Sequence, residues 1–177
     1  MSGLGEVVFS IVGANKTGKT AFVKKFYDDT FTEEYVSSRA SQKHTKTLQT
    51  NTGFQFNLSF WDTPGEDDPT TQFVVTSNSR GIICAVDSTK ILSNDNSDYN
   101  QGVRKVELIK ERRGNVPSIL LATKEDLLSE DQKHQVNESI QKFVADSDGL
   151  FINGFLCSAK EGTGLQQAII YLLQHIN

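Results

Sequence analysis

Residues Gly13-Ala14-Asn15-Lys16-Thr17-Gly18-Lys19-Thr20 form a glycine, four residues, then glycine-lysine-threonine. The run follows an apolar stretch, Glu6–Val12, and opens an amphipathic one near Lys19–Tyr27. That spacing between a strand and a helix suits the holding of phosphate groups. Gly13 and Gly18 let the backbone wrap tightly, so that N–H groups around Asn15, Lys16 and Thr17 point inward at phosphate oxygens. Lys19 would bridge the outer phosphates as a point charge, the Thr20 hydroxyl would bind Mg²⁺, and Ala21 completes the candidate contacts. A turn that merely contains glycine and lysine is the alternative, and the strand–loop–helix context argues against it.

Three further segments carry chemistry. Asp62 ends an apolar strand within Trp61-Asp62-Thr63-Pro64-Gly65-Glu66, where a carboxylate needs a reason to sit. It would serve as a second-shell or water-mediated Mg²⁺ partner, or else as the cap of an Asp-Thr-Pro-Gly turn. Gly65 could offer its N–H to a terminal phosphate. Thr123-Lys124-Glu125-Asp126 follows the apolar Ser118–Ala122. A carboxylate at Asp126 can accept two hydrogen bonds from the N1–H and 2-amino group of guanine. Adenine offers no such pair, so a buried aspartate would be left unpaired. The Lys124 stem can cover the ring face. Cys157-Ser158-Ala159-Lys160 ends the last core strand, where backbone N–H groups could meet the guanine O6.

The elements that must position these segments alternate between strand and helix, the pattern of an α/β fold with a mostly parallel sheet covered on both faces. Strands are expected at Glu6–Val12, His44–Thr50, Gln55–Trp61, Gly81–Val86, Ser118–Thr123 and Leu150–Leu156. The second and third join through Asn51-Thr52-Gly53 as an antiparallel hairpin. Phe54, Phe56, Leu58 and Phe60 alternate along the third, giving it one apolar face. Helices are expected at Lys19–Tyr27, Gln101–Arg113, Asp131–Ser147 and from Leu165, whose apolar residues make one stripe. Asp28–Lys43 and Ser93–Asn100 are polar and aperiodic, and read as loops. No linker or repeat divides the chain, so one domain is expected over residues 1–177.

A net charge of −4 from 18 basic and 22 acidic residues excludes the basic footprint of a nucleic-acid binder. Cys84 and Cys157 lie in apolar runs and read as buried reduced thiols of an intracellular protein. His44, His134 and His175 are scattered, with no spacing for a metal site. No apolar run reaches the ~18–20 residues of a membrane span, and no lipidation signal is evident. A cytoplasmic chain without a direct membrane anchor is expected.

With these residues in view, the chain resembles a Ras-superfamily small GTPase, and most of all the Rab family. Trp61–Glu66 is similar to the Rab sequence WDTAGQE, and Ser79–Asp87 (SRGIICAVD) to RGAHGIIVVYD. Lys46-Thr47-Leu48 is similar to the lysine-threonine-aliphatic opening of the Rab second strand. The resemblance implies a P-loop NTPase small G domain, with a six-stranded sheet and about five helices. It implies GTP, GDP and Mg²⁺ as ligands, and a monomer that meets effectors, an exchange factor and a GTPase-activating protein through two switch loops. Phe31 falls where the family keeps an aromatic against guanine. Ser38 falls where a threonine closes over Mg²⁺, although Ser37 or Ser41 could serve instead.

The departures bear on catalysis. Glu66 stands in place of the glutamine that orients the attacking water. Its charge beside a polyanionic phosphate would repel and slow hydrolysis, or it could act as a crude base. Asn15 adds a side chain where many relatives have only glycine. Lys43 stands where Rabs place a phenylalanine that effectors touch, and residues 65–79 lack the usual Arg-Phe and Tyr-Tyr pairs. The sequence stops at Asn177, directly after its last expected helix, so both a cysteine-bearing tail beyond it, as in Rabs, and an unanchored protein stay open. Two main expectations follow: a slowly hydrolysing switch in vesicle traffic or signalling, and a nucleotide-loaded, hydrolysis-deficient scaffold. A third, a P-loop kinase or ATPase, is disfavoured by Thr123–Asp126 and Cys157–Lys160.

Overall fold

The computed structural model describes residues 5–34, 40–66 and 78–176. Their strands are β1 (Glu6–Gly13), β2 (Gln42–Gln49), β3 (Gln55–Asp62), β4 (Gly81–Asp87), β5 (Ser118–Thr123) and β6 (Asn153–Leu156). Their helices are α1 (Lys19–Asp28), α2 (Ser88–Leu92), α3 (Ser97–Arg113), α4 (Glu130–Ala145) and α5 (Leu165–His175). The strands form one sheet in the order β2-β3-β1-β4-β5-β6. All pairs are parallel except the edge hairpin β2–β3, in which Gln49 faces Gln55 and Gln42 faces Asp62. A six-stranded sheet with one reversed strand is the expected small G-domain architecture.

Alternation along the central strands feeds two cores. Phe9, Ile11, Ile83, Ala85, Ile119 and Leu121 join Phe22 and Val23 of α1 and Leu165, Ala168, Ile169 and Leu172 of α5 on one face. Val12, Ile82, Cys84, Val86, Leu120 and Ala122 join Val106 and Ile109 of α3 and Val136 and Ile140 of α4 on the other. Buried on both faces, β4 and β5 read as continuous apolar runs. Phe60 anchors the hairpin, meeting Phe9, Phe22, Phe26 and Tyr27 edge to face at 5.6–5.9 Å.

Several boundaries depart from the sequence reading. The last strand was expected from Leu150, yet pairing starts at Asn153. Phe151 is buried by packing in the second core rather than by strand pairing. The polar cluster Ser93–Asn100 is not all loop: α3 begins at Ser97, where Asp95 accepts the Ser97 N–H at 3.0 Å. The short α2 was not foreseen, and Asp87 caps it by accepting the Thr89 N–H at 2.9 Å. Asp28 closes α1, and Gln42 and Lys43 belong to β2, so the expected first loop is shorter; residues 35–39 lie outside the described residues. Both cysteines are free and buried. Burial pushes the Cys84 thiol up to about 12 and that of Cys157 higher still.

Helix α3 lies close on β4 because residue 102 has no side chain. A Cβ at Gly102 would sit 2.4 Å from Cys84 Sγ. A mid-helix glycine costs about 1 kcal/mol relative to alanine, so close approach must return at least as much. Gly102→Ala is therefore expected to lower stability by about 1–3 kcal/mol through overpacking, despite alanine's better helix propensity. Cys84→Ala in the same chain should restore much of the loss in denaturant melts. An alanine at 102 that raised stability would contradict the close packing.

Candidate functional site

The phosphate-loop residues gather at the carboxyl ends of β1, β4 and β5, the edge at which open α/β sheets bind ligands. Gly13 ends β1 with a φ of +147°, and a Cβ there would lie 2.3 Å from the Ala85 carbonyl oxygen. Only glycine turns out of the sheet at that point. Gly18, at φ +80°, precedes α1 and packs on Thr123, whose Oγ1 would lie 3.3 Å from an added Cβ. Thr17 is buried, its hydroxyl donating to the Ala14 carbonyl at 3.0 Å. Asn15 and Lys16 are exposed on the rim, and Ala21 is half-buried in the first turn of α1.

Lys19 is buried, and its ammonium donates to the carbonyls of Ala14 at 2.6 Å and Gly13 at 3.2 Å. Burial pulls its pKa down to about 8; Asp62 opposes the fall and Lys105 adds to it. Asp62 itself is 2% exposed, with its Oδ2 accepting from the Thr20 hydroxyl at 2.6 Å. Its Oδ1 is buried without a hydrogen-bond partner among the described residues. Burial raises the Asp62 carboxyl above the usual carboxylate range, against the Thr20 hydrogen bond and the Lys19 charge. Ser41, next to β2, likewise has a buried hydroxyl without a hydrogen-bond partner among the described residues. A hydroxyl beside a buried carboxylate with one oxygen still open is the hard-oxygen chemistry that suits Mg²⁺. Ser38 and Ser37 lie outside the described residues.

The segments expected to read a base are tied to each other and to the phosphate loop. The buried Thr123 hydroxyl lies 2.8 Å from the Thr17 carbonyl and 3.1 Å from that of Val86, its one proton shared between them. Lys124 takes a left-handed φ of 63° and forms an ion pair with Asp87. Burial works against the charged form of Asp87, but hydrogen bonds from Lys124 and Thr89 hold its carboxyl below the usual range. Asp126 accepts from the buried Ser158 hydroxyl at 2.6 Å, and the Glu125 N–H donates to the Cys157 carbonyl at 3.0 Å. The Ser158 amide itself donates to Thr163 O at 3.1 Å. Ala159 is half-buried beside it. Lys160 reaches Glu33 at 2.8 Å, which brings the segment holding half-buried Phe31 to this end of the sheet.

Gly65 touches the phosphate loop directly. A Cβ there would fall 2.2 Å from Asn15 Oδ1 and 2.5 Å from Asn15 Cα and N. Its carbonyl accepts from Lys105 Nζ at 2.9 Å and from Gln101 Nε2 at 3.3 Å. Glu66 follows as an exposed residue, and residues 67–77 lie outside those described. The structure thus brings Gly13 through Ala21, Asp62, Gly65 and Thr123 together, with Asp126 and Ser158 adjoining. Sequence reading missed Lys105, Gln101, Asp87 and Glu33. Lys105 left one signal: it falls on the buried stripe of α3 with Gly102, Val106 and Ile109, where a charge is out of place.

A family model for the Ras family matches residues 8–177, and the chain belongs to that family. Ras-related protein Rab-1A of Dictyostelium discoideum is 29% identical over 170 residues, covering 94% of this chain and 78% of the relative. The protein is a Rab-like small GTPase of the Ras superfamily. Family membership makes it a GTP-binding switch, with guanine nucleotide and Mg²⁺ as the general ligands of its kind. No helix among the described residues is long and apolar enough to cross a membrane.

The depressed Lys19 pKa has a stability consequence with a definite sign. Below about pH 8 both folded and unfolded chains hold the proton, and the cost of burying the charge is complete. Between about 8 and the ordinary lysine value of 10.5 the unfolded chain binds more protons, so stability rises with pH. Relative to Lys19→Met, nucleotide-stripped protein should gain about 1–2 kcal/mol between about pH 7.5 and about pH 9.5. Urea melts at the two pH values check this, and a flat difference contradicts it.

Proposed function

We propose that this protein binds GTP and GDP with Mg²⁺ in the site just described and hydrolyses GTP slowly. One observation carries the reading: the Thr123 hydroxyl joins the phosphate loop, at Thr17, to the segment holding Lys124 and Asp126. A ligand with phosphates at one end and a base at the other matches that arrangement. Asp126 would accept from N1–H and the 2-amino group of guanine, held in place by Ser158, with Ala159 and Lys160 closing the loop beside it. Lys124, oriented by Asp87, would cover the ring, and Phe31 would border it. The backbone of Gly13, Asn15, Lys16, Thr17 and Gly18 would hold phosphate oxygens, with Ala21 below them. Lys19 would exchange its two carbonyl partners for phosphate oxygens.

Thr20 and Asp62 would hold Mg²⁺, with Ser38 or Ser41 closing from the other side. The metal would supply positive charge against the phosphates. Gly65 would direct its N–H to the terminal phosphate, and Glu66 would face the attacking water. Its carboxylate repels developing negative charge, which is the basis for slow hydrolysis. The same features support a second reading, a hydrolysis-deficient scaffold, because Asn15 already contacts Gly65 beside the reacting phosphate. One domain over residues 1–177, a cytoplasmic monomer, and effectors and regulators at the loops after α1 and after Gly65 complete the proposal. Vesicle traffic or signalling is its setting by kinship alone.

Two measurements test this. Competition binding with Mg²⁺ is expected to favour GTP and GDP over ATP by more than about a hundredfold, and Asp126→Ala should erase most of that margin, as removal of a specific hydrogen-bonding group does. Equal affinity for ATP would refute the base-reading assignment. Single-turnover hydrolysis of preloaded GTP should be slow in the wild type and about tenfold faster in Glu66→Gln, the order of one electrostatic group at a reacting phosphate. An ordinary wild-type rate shows Glu66 to be competent. No turnover in either protein favours the scaffold.

A further inference from the structure

Lys105 and Gln101 stand one helical turn apart on α3 and converge on a single backbone atom, the carbonyl oxygen of Gly65. Lys105 is 2% exposed, and its ammonium also lies 3.3 Å from the Gly13 carbonyl. The two carbonyls belong to segments 52 residues apart, one leaving β1 and one leaving β3. They can share one ammonium because Gly65 packs so near Asn15 that an added Cβ would fall 2.5 Å from the Asn15 backbone. The helix can reach them because Gly102 lets it settle onto Cys84. A lysine buried on the apolar stripe of a helix carries a desolvation cost. Charge-assisted bonds to two carbonyls repay such a cost better than helix packing requires.

We infer that Lys105, assisted by Gln101, is a positioning residue that fixes Gly65 against the phosphate loop and so sets selectivity for a nucleoside triphosphate over a diphosphate. The inference rests on the nucleotide-binding reading given above. A trans peptide is planar, so fixing the Gly65 oxygen also fixes the Glu66 N–H, which points the opposite way. Holding that peptide plane constrains Gly65, whose own N–H is the group placed to meet the terminal phosphate. Only the triphosphate has that phosphate. Loss of the tie therefore weakens triphosphate binding and leaves most diphosphate contacts intact. Loss of mere helix packing would weaken both alike.

The test is competition binding of GDP and a non-hydrolysable GTP analogue, with Mg²⁺, to wild type, Lys105→Met and Gln101→Ala. Lys105→Met is expected to lower the triphosphate-to-diphosphate affinity ratio about tenfold, the scale of one charge-assisted hydrogen bond. Gln101→Ala, which touches Gly65 but not Gly13, should lower it about threefold, the scale of one neutral hydrogen bond. A ratio unchanged in both variants, whatever the loss in overall affinity, overturns the inference. If Lys105→Met does not fold, the Gln101→Ala ratio decides alone. A wild type that binds neither nucleotide takes down the nucleotide-binding reading and this inference with it, a result distinct from an unchanged ratio.

Discussion

One hydroxyl group holds the two halves of the site in register. Thr123 ends β5 and reaches back to the carbonyls of Thr17 and Val86 with a single shared proton. That contact ties the phosphate loop to the strand that leads into Lys124 and Asp126. The phosphate loop arches from β1 to α1 and bonds locally from Thr17 and Lys19 to Ala14 and Gly13. Anchored at Thr17, it cannot slide along the sheet relative to the strand that carries Lys124 and Asp126. Gly18 makes the anchor possible, because a side chain there would press on Thr123 from a strained left-handed backbone. Glycine at 18 is thus required by tertiary contact as well as by the turn.

Helix α3 acts on the same loop from the other side. Gly102 sets its distance from β4, and Gln101 and Lys105 project toward Gly13 and Gly65. The phosphate loop is therefore held at Thr17 by β5 and at Gly13 by α3. The stretch Ala14–Lys16 between those points contains the residues left on the rim. Asn15 and Lys16, both exposed, occupy that rim, with Asn15 beside Gly65. A loop pinned at both flanks presents its amides with little reorganisation, which is what makes preorganised anion sites effective.

The sequence disclosed what depends on local pattern. Gly-x₄-Gly-Lys-Thr after an apolar run, period-2 alternation at Phe56–Phe60 and the Asn-Thr-Gly turn are local codes, and the structure has the corresponding loop, strand and hairpin. Boundaries set by competition were harder to read. Leu150–Ile152 is as apolar as a strand, yet Phe151 enters the core as an irregular segment. Ser93–Asn100 is as polar as a loop, yet Asp95 starts a helix within it and Lys90 pays the cost of burying Asp98. Gln101 was unreadable as a site residue, and Lys105 showed only as a charge on an apolar stripe, for a different reason. Their targets are backbone carbonyls on two distant segments, and a carbonyl carries no sequence signature.

The concentration of charge beneath the loop explains why this edge of the sheet is built for anions. Lys19, Lys105 and Asp62 are all at most 6% exposed, and burial shifts Lys19 and Asp62 toward their neutral forms. Groups so placed are under-solvated, and each gains more from an added counter-charge than an exposed group would. An anion beside Lys19 restores its protonated form, so anion binding and proton uptake are coupled near pH 8 and above. A cation beside the open oxygen of Asp62 does the reverse, favouring the ionised carboxylate. The two shifts have opposite signs and draw opposite charges, and each group feels the other's charge. A metal-bound phosphate answers both at once, and neither a metal nor a phosphate alone does so.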